Sequence, residues 1–172
     1  MKEHTTPDEA LALHKILPTD PQRYLHIVNE WIEKNPENTH AYFNRHQAWM
    51  RIGEPRRALD DLNKAIAVDR RPSLLEARGG VYRHLGEYVK ALDDYRSAEA
   101  MDPAKWEEDA FGLLFQADVH ARLGDESAAL ACCARLPENF WTPGLHDAPA
   151  GDKVAVAERL KLIAAEAKRA RD

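Results

Sequence analysis

One phrase recurs three times and constrains the chain more than anything else in it. At Ile52-Gly53-Glu54, Leu85-Gly86-Glu87 and Leu123-Gly124-Asp125, an aliphatic residue and glycine precede an acid, three variable residues and an Ala-Leu pair. The Ala-Leu pairs are Ala58-Leu59, Ala91-Leu92 and Ala129-Leu130, and the copies begin 33 and 38 residues apart. A period of this size marks stacked repeats, in which no unit buries its apolar face alone.

The segments around the phrase are helical in pattern. In residues 22–34, Tyr24, Ile27, Val28, Trp31 and Ile32 recur at steps of three and four, placing them on one stripe. Asp20-Pro21 is a start signal, a capping side chain followed by a proline whose missing N–H costs nothing in the first turn. Thr6, Pro7 and Glu9 read as an earlier start, giving a first helix to about Leu17. Each glycine of the phrase stands where one helix ends and a left-handed residue is wanted, and the small Ala58, Ala91 and Ala129 let paired helices approach closely. Residues 1–172 are expected to form one domain: a degenerate hairpin over 7–36, repeats over 39–71 and 72–103, and an extended repeat over 104–136. A loop over 137–151 carrying Phe140 and Trp141 and a capping helix over 152–171 complete it, the helix with an apolar stripe of Val154, Ala157, Leu160 and Ile163 or Ala164. The longer step of 38 is expected to add about one turn to the helix ending at Leu123, leaving Trp106 projecting.

Charge excludes some partners. The 24 Lys+Arg against 29 Asp+Glu are intermixed, whereas nucleic-acid binding normally shows a clustered basic excess. Cys132 and Cys133 are adjacent and form no disulfide framework, the eight histidines show no zinc-ligand spacing, and no cofactor is expected. A Cys133-His120 nucleophilic pair remains open, though both fall at positions the repeat register makes core. No stretch approaches the ~18 apolar residues of a membrane helix, and the polar N-terminus lacks a secretory apolar segment, so the expectation is a cytoplasmic protein without a membrane partner.

The residues resemble the tetratricopeptide-repeat family, whose 34-residue unit carries W-x2-L-G-x2-Y, A-x3-F and a closing proline. Leu75, Arg78-Gly79, Tyr82, Ala91, Tyr95 and Pro103 match best, with Arg78 discordant. Tyr42, Arg45-His46, Trp49, Ala58 and Leu62 make a second match, in which His46 replaces the small residue and Arg70 the proline. Leu113, Gln116-Ala117, His120, Ala129 and Cys133 make a third. The resemblance implies an all-α, right-handed superhelix of antiparallel hairpins whose first helices line a concave groove. It also implies a non-enzymatic adaptor or scaffold that binds a partner peptide or helix there. In some members a Lys/Asn/Arg clamp holds a chaperone's C-terminal carboxylate. Phe43, Gln47, Ala77 and Leu114 stand where that clamp belongs, which disfavours such an adaptor.

On this register Phe43, Gln47, Met50, Arg51, Arg83, His84, Asp118 and Arg122 face the groove as candidate partner-binding residues. Arg51, Arg83, His84 and Arg122 recur just before the glycine phrase. They form either a basic rim for a carboxylate or charges that offset helix dipoles. Phe43, Met50, Phe111 and Leu114 form either an apolar patch for a partner or packing against neighbouring repeats. Asp60-Asp61 and Asp93-Asp94 read as a solvated outer face, since adjacent helical residues point about 100° apart. The alternative to groove binding is a homo-oligomer or fixed subunit assembled through helix faces at Trp106 or Leu160-Ile163.

Overall fold

The computed structural model describes residues 15–144 and 148–171, which fall into two compact units parting between Arg70 and Arg71. The expected capping box at Thr6 to Glu9 lies outside the described residues. In the first unit, α1 (Pro21–Lys34) packs on α2 (Thr39–Arg51), and α2 pairs with α3 (Pro55–Val68). Tyr24, Leu25, Val28, Ala41 and Ala48 form its buried cluster, with Ile27, Trp31, Ile32 and Trp49 packed around it. Val68, at the end of α3, is 51% exposed.

In the second unit, α4 (Pro72–His84) pairs with α5 (Tyr88–Met101). A six-residue α6 (Pro103–Glu108) follows, then α7 (Ala110–Arg122) paired with α8 (Glu126–Ala134). Two-residue strands β1 (Trp141–Thr142) and β2 (Gly151–Asp152) pair antiparallel, and α9 (Lys153–Arg169) lies across α7 and α8. The cap is therefore present, but its buried face is Val156, Leu160 and Ala164, while Val154 is 70% exposed.

The glycine phrase is a helix-ending device. Gly53, Gly86 and Gly124 have φ of 80°, 75° and 73°. The acid after each donates its backbone N–H to a carbonyl five residues back: Glu54 to Trp49, Glu87 to Tyr82 and Asp125 to His120, at 2.8–2.9 Å. This is the Schellman closure, which satisfies carbonyls the helix leaves unpaired. Asp125 also caps α8 by accepting from Ala128 N, whereas Glu54 and Glu87 make no side-chain cap. Ala58, Ala91, Ala117 and Ala129 are wholly buried where the paired helices meet.

Two expectations fail here. The extra residues of the last hairpin do not lengthen α7, which at 13 residues equals α2 and α4. Asp102 and Asp109 each accept from a backbone N–H three residues on, so two separate helices start within eight residues. Trp106 does not project: it is 1% exposed, its indole N–H reaches Gln116 Oε1 at 3.2 Å and its ring lies 6.2 Å from that of Tyr95. The second correction concerns the aspartate pairs. Asp60 and Asp93 are exposed, but Asp61 and Asp94 are buried, because each has a guanidinium on the facing helix. Arg45 forks onto Asp61 at 2.9 and 2.6 Å, and Arg78 onto Asp94 at 2.8 and 2.7 Å. Arg78 is thus discordant with the motif but matched to its own hairpin. In the last hairpin the corresponding residues are Gln116 and Cys132, and Gln116 instead bonds Trp106 and Glu99.

Candidate partner-binding surface

The first helix of each hairpin, α2, α4 or α7, carries the residues singled out for a partner. On α2, His40 and Arg51 are exposed and Phe43, Gln47 and Met50 half-buried. The Phe43 ring meets His46 edge-on at 4.7 Å, and burial pushes the His46 pKa down to about 4. Arg51 donates to the Pro18 carbonyl at 3.1 Å.

In the second unit α4 and α7 pack against each other. Ser73, Glu76, Ala77, Gly80 and Phe115 are half-buried, His84 is exposed, and Phe111 is 42% exposed. Gly80 leaves a dent in this face: a Cβ built there finds only the Tyr95 hydroxyl, 3.9 Å away. Its neighbour Gly79 faces inward, where an added Cβ would lie 2.7 Å from the Tyr95 ring. Glu76 pairs with Lys105 of α6 at 3.3 Å, which fixes the charge at one end.

The basic rim takes a different form from the one expected. Arg83 is 5% exposed and donates to Asp118, itself wholly buried, at 2.8 Å. The guanidinium of Arg83 also stacks on Phe115, 4.7 Å from the ring centre. Arg122 reaches the same carboxylate, its Nε 3.0 and 2.9 Å from the two oxygens, and its Nη1 donates to the Tyr88 hydroxyl at 3.3 Å. Two cations thus share one anion, and only Arg122 reaches solvent, with its side chain 26% exposed. Leu114, Asp118 and Ala121 are buried rather than groove-facing: Asp118 meets Arg83 of α4, and both α4 and α9 pack against α7. Sequence reasoning missed that Asp61, Asp94 and Asp118 have core partners. The recoverable signal was the common 16-residue separation of Arg45-Asp61 and Arg78-Asp94 across the phrase.

The cysteines show no activated thiol. Burial pushes Cys132 up to about 11 and raises Cys133, whose Sγ lies 3.7 Å from the Lys153 carbonyl. His120, also buried, has its Nδ1 3.8 Å from Asp125. Leu160 and Trp106, proposed above for assembly, are both buried. Each unit has an open cleft. One of about 450 Å³ lies among Leu25, His26, Asn29, Trp49 and Arg57; another of about 460 Å³ lies among Arg122, Ala148, Pro149, Arg159, Ile163 and Glu166. No helix among the described residues is long and apolar enough to cross a membrane.

No family model matches the chain. It is 33% identical over 78 residues to human (Homo sapiens) tetratricopeptide repeat protein 28, covering 45% of this chain and 3% of that protein. It is 31% identical over 78 residues to the Hsp70-Hsp90 organizing protein of Triticum aestivum, covering 44% and 13%. The chain thus spans only a small part of these relatives. Among solved structures it is similar to MamA, with a TM-score of 0.68 at 14% identity over 98% of both chains. It is also similar to YrrB, a TPR protein with an unusual peptide-binding site, with a TM-score of 0.66 at 20% identity over 96% of this chain and 84% of that one. Paired helices, Schellman turns at the repeat period and these likenesses agree on an all-α fold of tetratricopeptide-repeat type.

Proposed function

We propose that this chain is a cytoplasmic, non-catalytic protein-interaction module that binds a partner peptide or helix along the first helices of its hairpins. The observation that carries this reading is the face of α4 and α7. There Gly80 leaves room above the α4 backbone, Ala77 of α4 and Phe115 of α7 are half-buried and Phe111 is exposed, while the buried Arg83 and Asp118 are paired with each other. Such a surface offers apolar area and a close backbone approach, as peptide recognition requires, and no activated nucleophile. In the first unit, Phe43, Gln47, Met50 and Arg51 of α2 carry similar chemistry, and in the second His84 adds a polar group at the end of α4. The likeness to YrrB and to the wheat organizing protein supports the reading. The test is to select binders from a random twelve-residue peptide library and to map the bound peptide by amide hydrogen exchange. Slowed exchange on the α4 and α7 face supports the reading. Assembly through α9, on which Val154 and Leu162 are exposed, would appear instead as a stable dimer by light scattering.

A further inference from the structure

The cleft in the first unit combines an apolar lining with one hydrogen-bonding group whose orientation the fold sets. Its volume is about 450 Å³, within the range of ligand pockets. Gln22, His26 and Asn29 line it from α1, following one another at steps of four and three and so sharing one stripe. Leu25, Trp49 and Ile52 supply its apolar surface, and Glu54 and Arg57 line it from the start of α3.

Asn29 is the oriented group. Arg45 Nη1 donates to its Oδ1 at 2.8 Å, while the same guanidinium forks onto the buried Asp61. A guanidinium has donors only, so the Asn29 atom it meets is the oxygen, and the amide cannot turn over without losing that bond. The Nδ2 hydrogens are what Asn29 has left to offer a ligand. Trp49 offers its ring alone, because its indole N–H already donates to Asp61 at 2.9 Å. Arg57 sits 4.8 Å over that ring with its Nε 4.0 Å from Glu54, so the one guanidinium and the one carboxylate of the lining face each other. Charge complementarity therefore favours a neutral ligand over an ion. A carbonyl oxygen can accept from Asn29 Nδ2, and an aliphatic group beside it can cover Leu25, Trp49 and Ile52.

We propose that this cleft binds an uncharged carbonyl group joined to an aliphatic side chain, as an internal residue of a polypeptide or a small amide presents it. The site lies in the first unit and does not rest on the α4 and α7 reading.

The test uses the full chain labelled with nitrogen-15 and three probes: N-acetyl-leucinamide, the doubly blocked tripeptide alanyl-leucyl-alanine, and N-acetyl-leucine, which carries a carboxylate. Binding in the millimolar range is expected of ligands so small. The signals that move should be those of Gln22, His26, Asn29, Trp49, Ile52 and Glu54, with the Asn29 side-chain amide moving most. A tripeptide that binds more tightly than the single residue identifies a polypeptide as the source, and equal affinity identifies a small amide; both support the site. Asn29→Asp keeps an acceptor for Arg45 and removes the donor, so it should weaken the neutral probes about tenfold. The Trp49 indole N–H signal, held by Asp61, reports in the same spectrum that the network is intact. The proposal is overturned if the neutral probes move no signal of the cleft up to their solubility limit, or if Asn29→Asp binds them as well as the parent. Tighter binding of N-acetyl-leucine than of its amide would also overturn it, by making this an anion site. The wild-type map of shifted signals decides the matter even if Asn29→Asp fails to fold.

Discussion

Gly79 and Gly80 are neighbours under opposite constraints. An alanine Cβ at Gly79 would stand 2.7 and 2.9 Å from two Tyr95 ring carbons, and Tyr95 is 1% exposed with no room to retreat. Gly79→Ala is expected to cost about 1–3 kcal/mol, the usual penalty of overpacking. Gly80→Ala meets only the Tyr95 hydroxyl at 3.9 Å and should stabilise by about 0.5–1 kcal/mol through lower unfolded-state entropy and better helix propensity. Urea unfolding of the two variants checks the pair; equal effects would contradict the packing described. A second residue-scale prediction concerns His46. Its folded pKa of about 4 lies below the ordinary 6.5, so between those values the unfolded chain holds more protons than the folded one. Stability is therefore full above pH 6.5 and falls as the pH drops toward 4. Between pH 7 and 5 the loss due to His46 should be about 2 kcal/mol, at ~1.4 kcal/mol per pH unit below 6.5. His46→Gln should remove that part of the pH dependence in unfolding titrations, and an unchanged slope would show that the imidazole is not held neutral.

At the scale of elements, helix ends were the most legible feature. Gly53, Gly86 and Gly124 announce their turns because a left-handed residue after a helix strongly favours glycine, and prolines at 21, 55, 72 and 103 each occupy a first helical position. The division of the last hairpin into α6 and α7 was not legible. It depends on the Asp109 side chain capping Gly112 N and on Trp106 finding a buried seat beside Tyr95 and Gln116, a tertiary outcome that overrides a breaker-free segment. The paired aspartates were half legible. Spacing showed that two neighbours cannot converge on one ion, but only the facing helix shows that Asp61 and Asp94 turn inward to Arg45 and Arg78. Removing one partner of such a pair leaves a buried charge, so Arg78→Leu should destabilise by about 3 kcal/mol. The double variant Arg78→Leu/Asp94→Leu should recover most of that loss. A double-mutant cycle in urea measures this, and additive losses would contradict a coupled pair.

At the scale of the whole molecule, the repeat class was written in the sequence, while the candidate surface was written only in part. Phe43, Gln47, Met50 and Arg51 lie at accessible or half-accessible positions of α2, as helical spacing predicts, and His84 is exposed at the end of α4. Leu114 and Asp118 are lost to the interior through tertiary packing of α4 and α9 against α7, which periodicity does not report. Arg83 and Arg122 converge on Asp118 for the same reason: 35 residues separate Arg83 from its partner, beyond any local pattern. What is left for a partner is an apolar face with the Gly80 dent. The measurement that tests the interaction reading most directly is amide hydrogen exchange of the full chain with and without a library-selected peptide. The expected result is slowed exchange on α4 and the adjoining face of α7, with the outer helices α5 and α8 unchanged. Slowing confined to α5 and α8, or no selected peptide that binds at all, would contradict it.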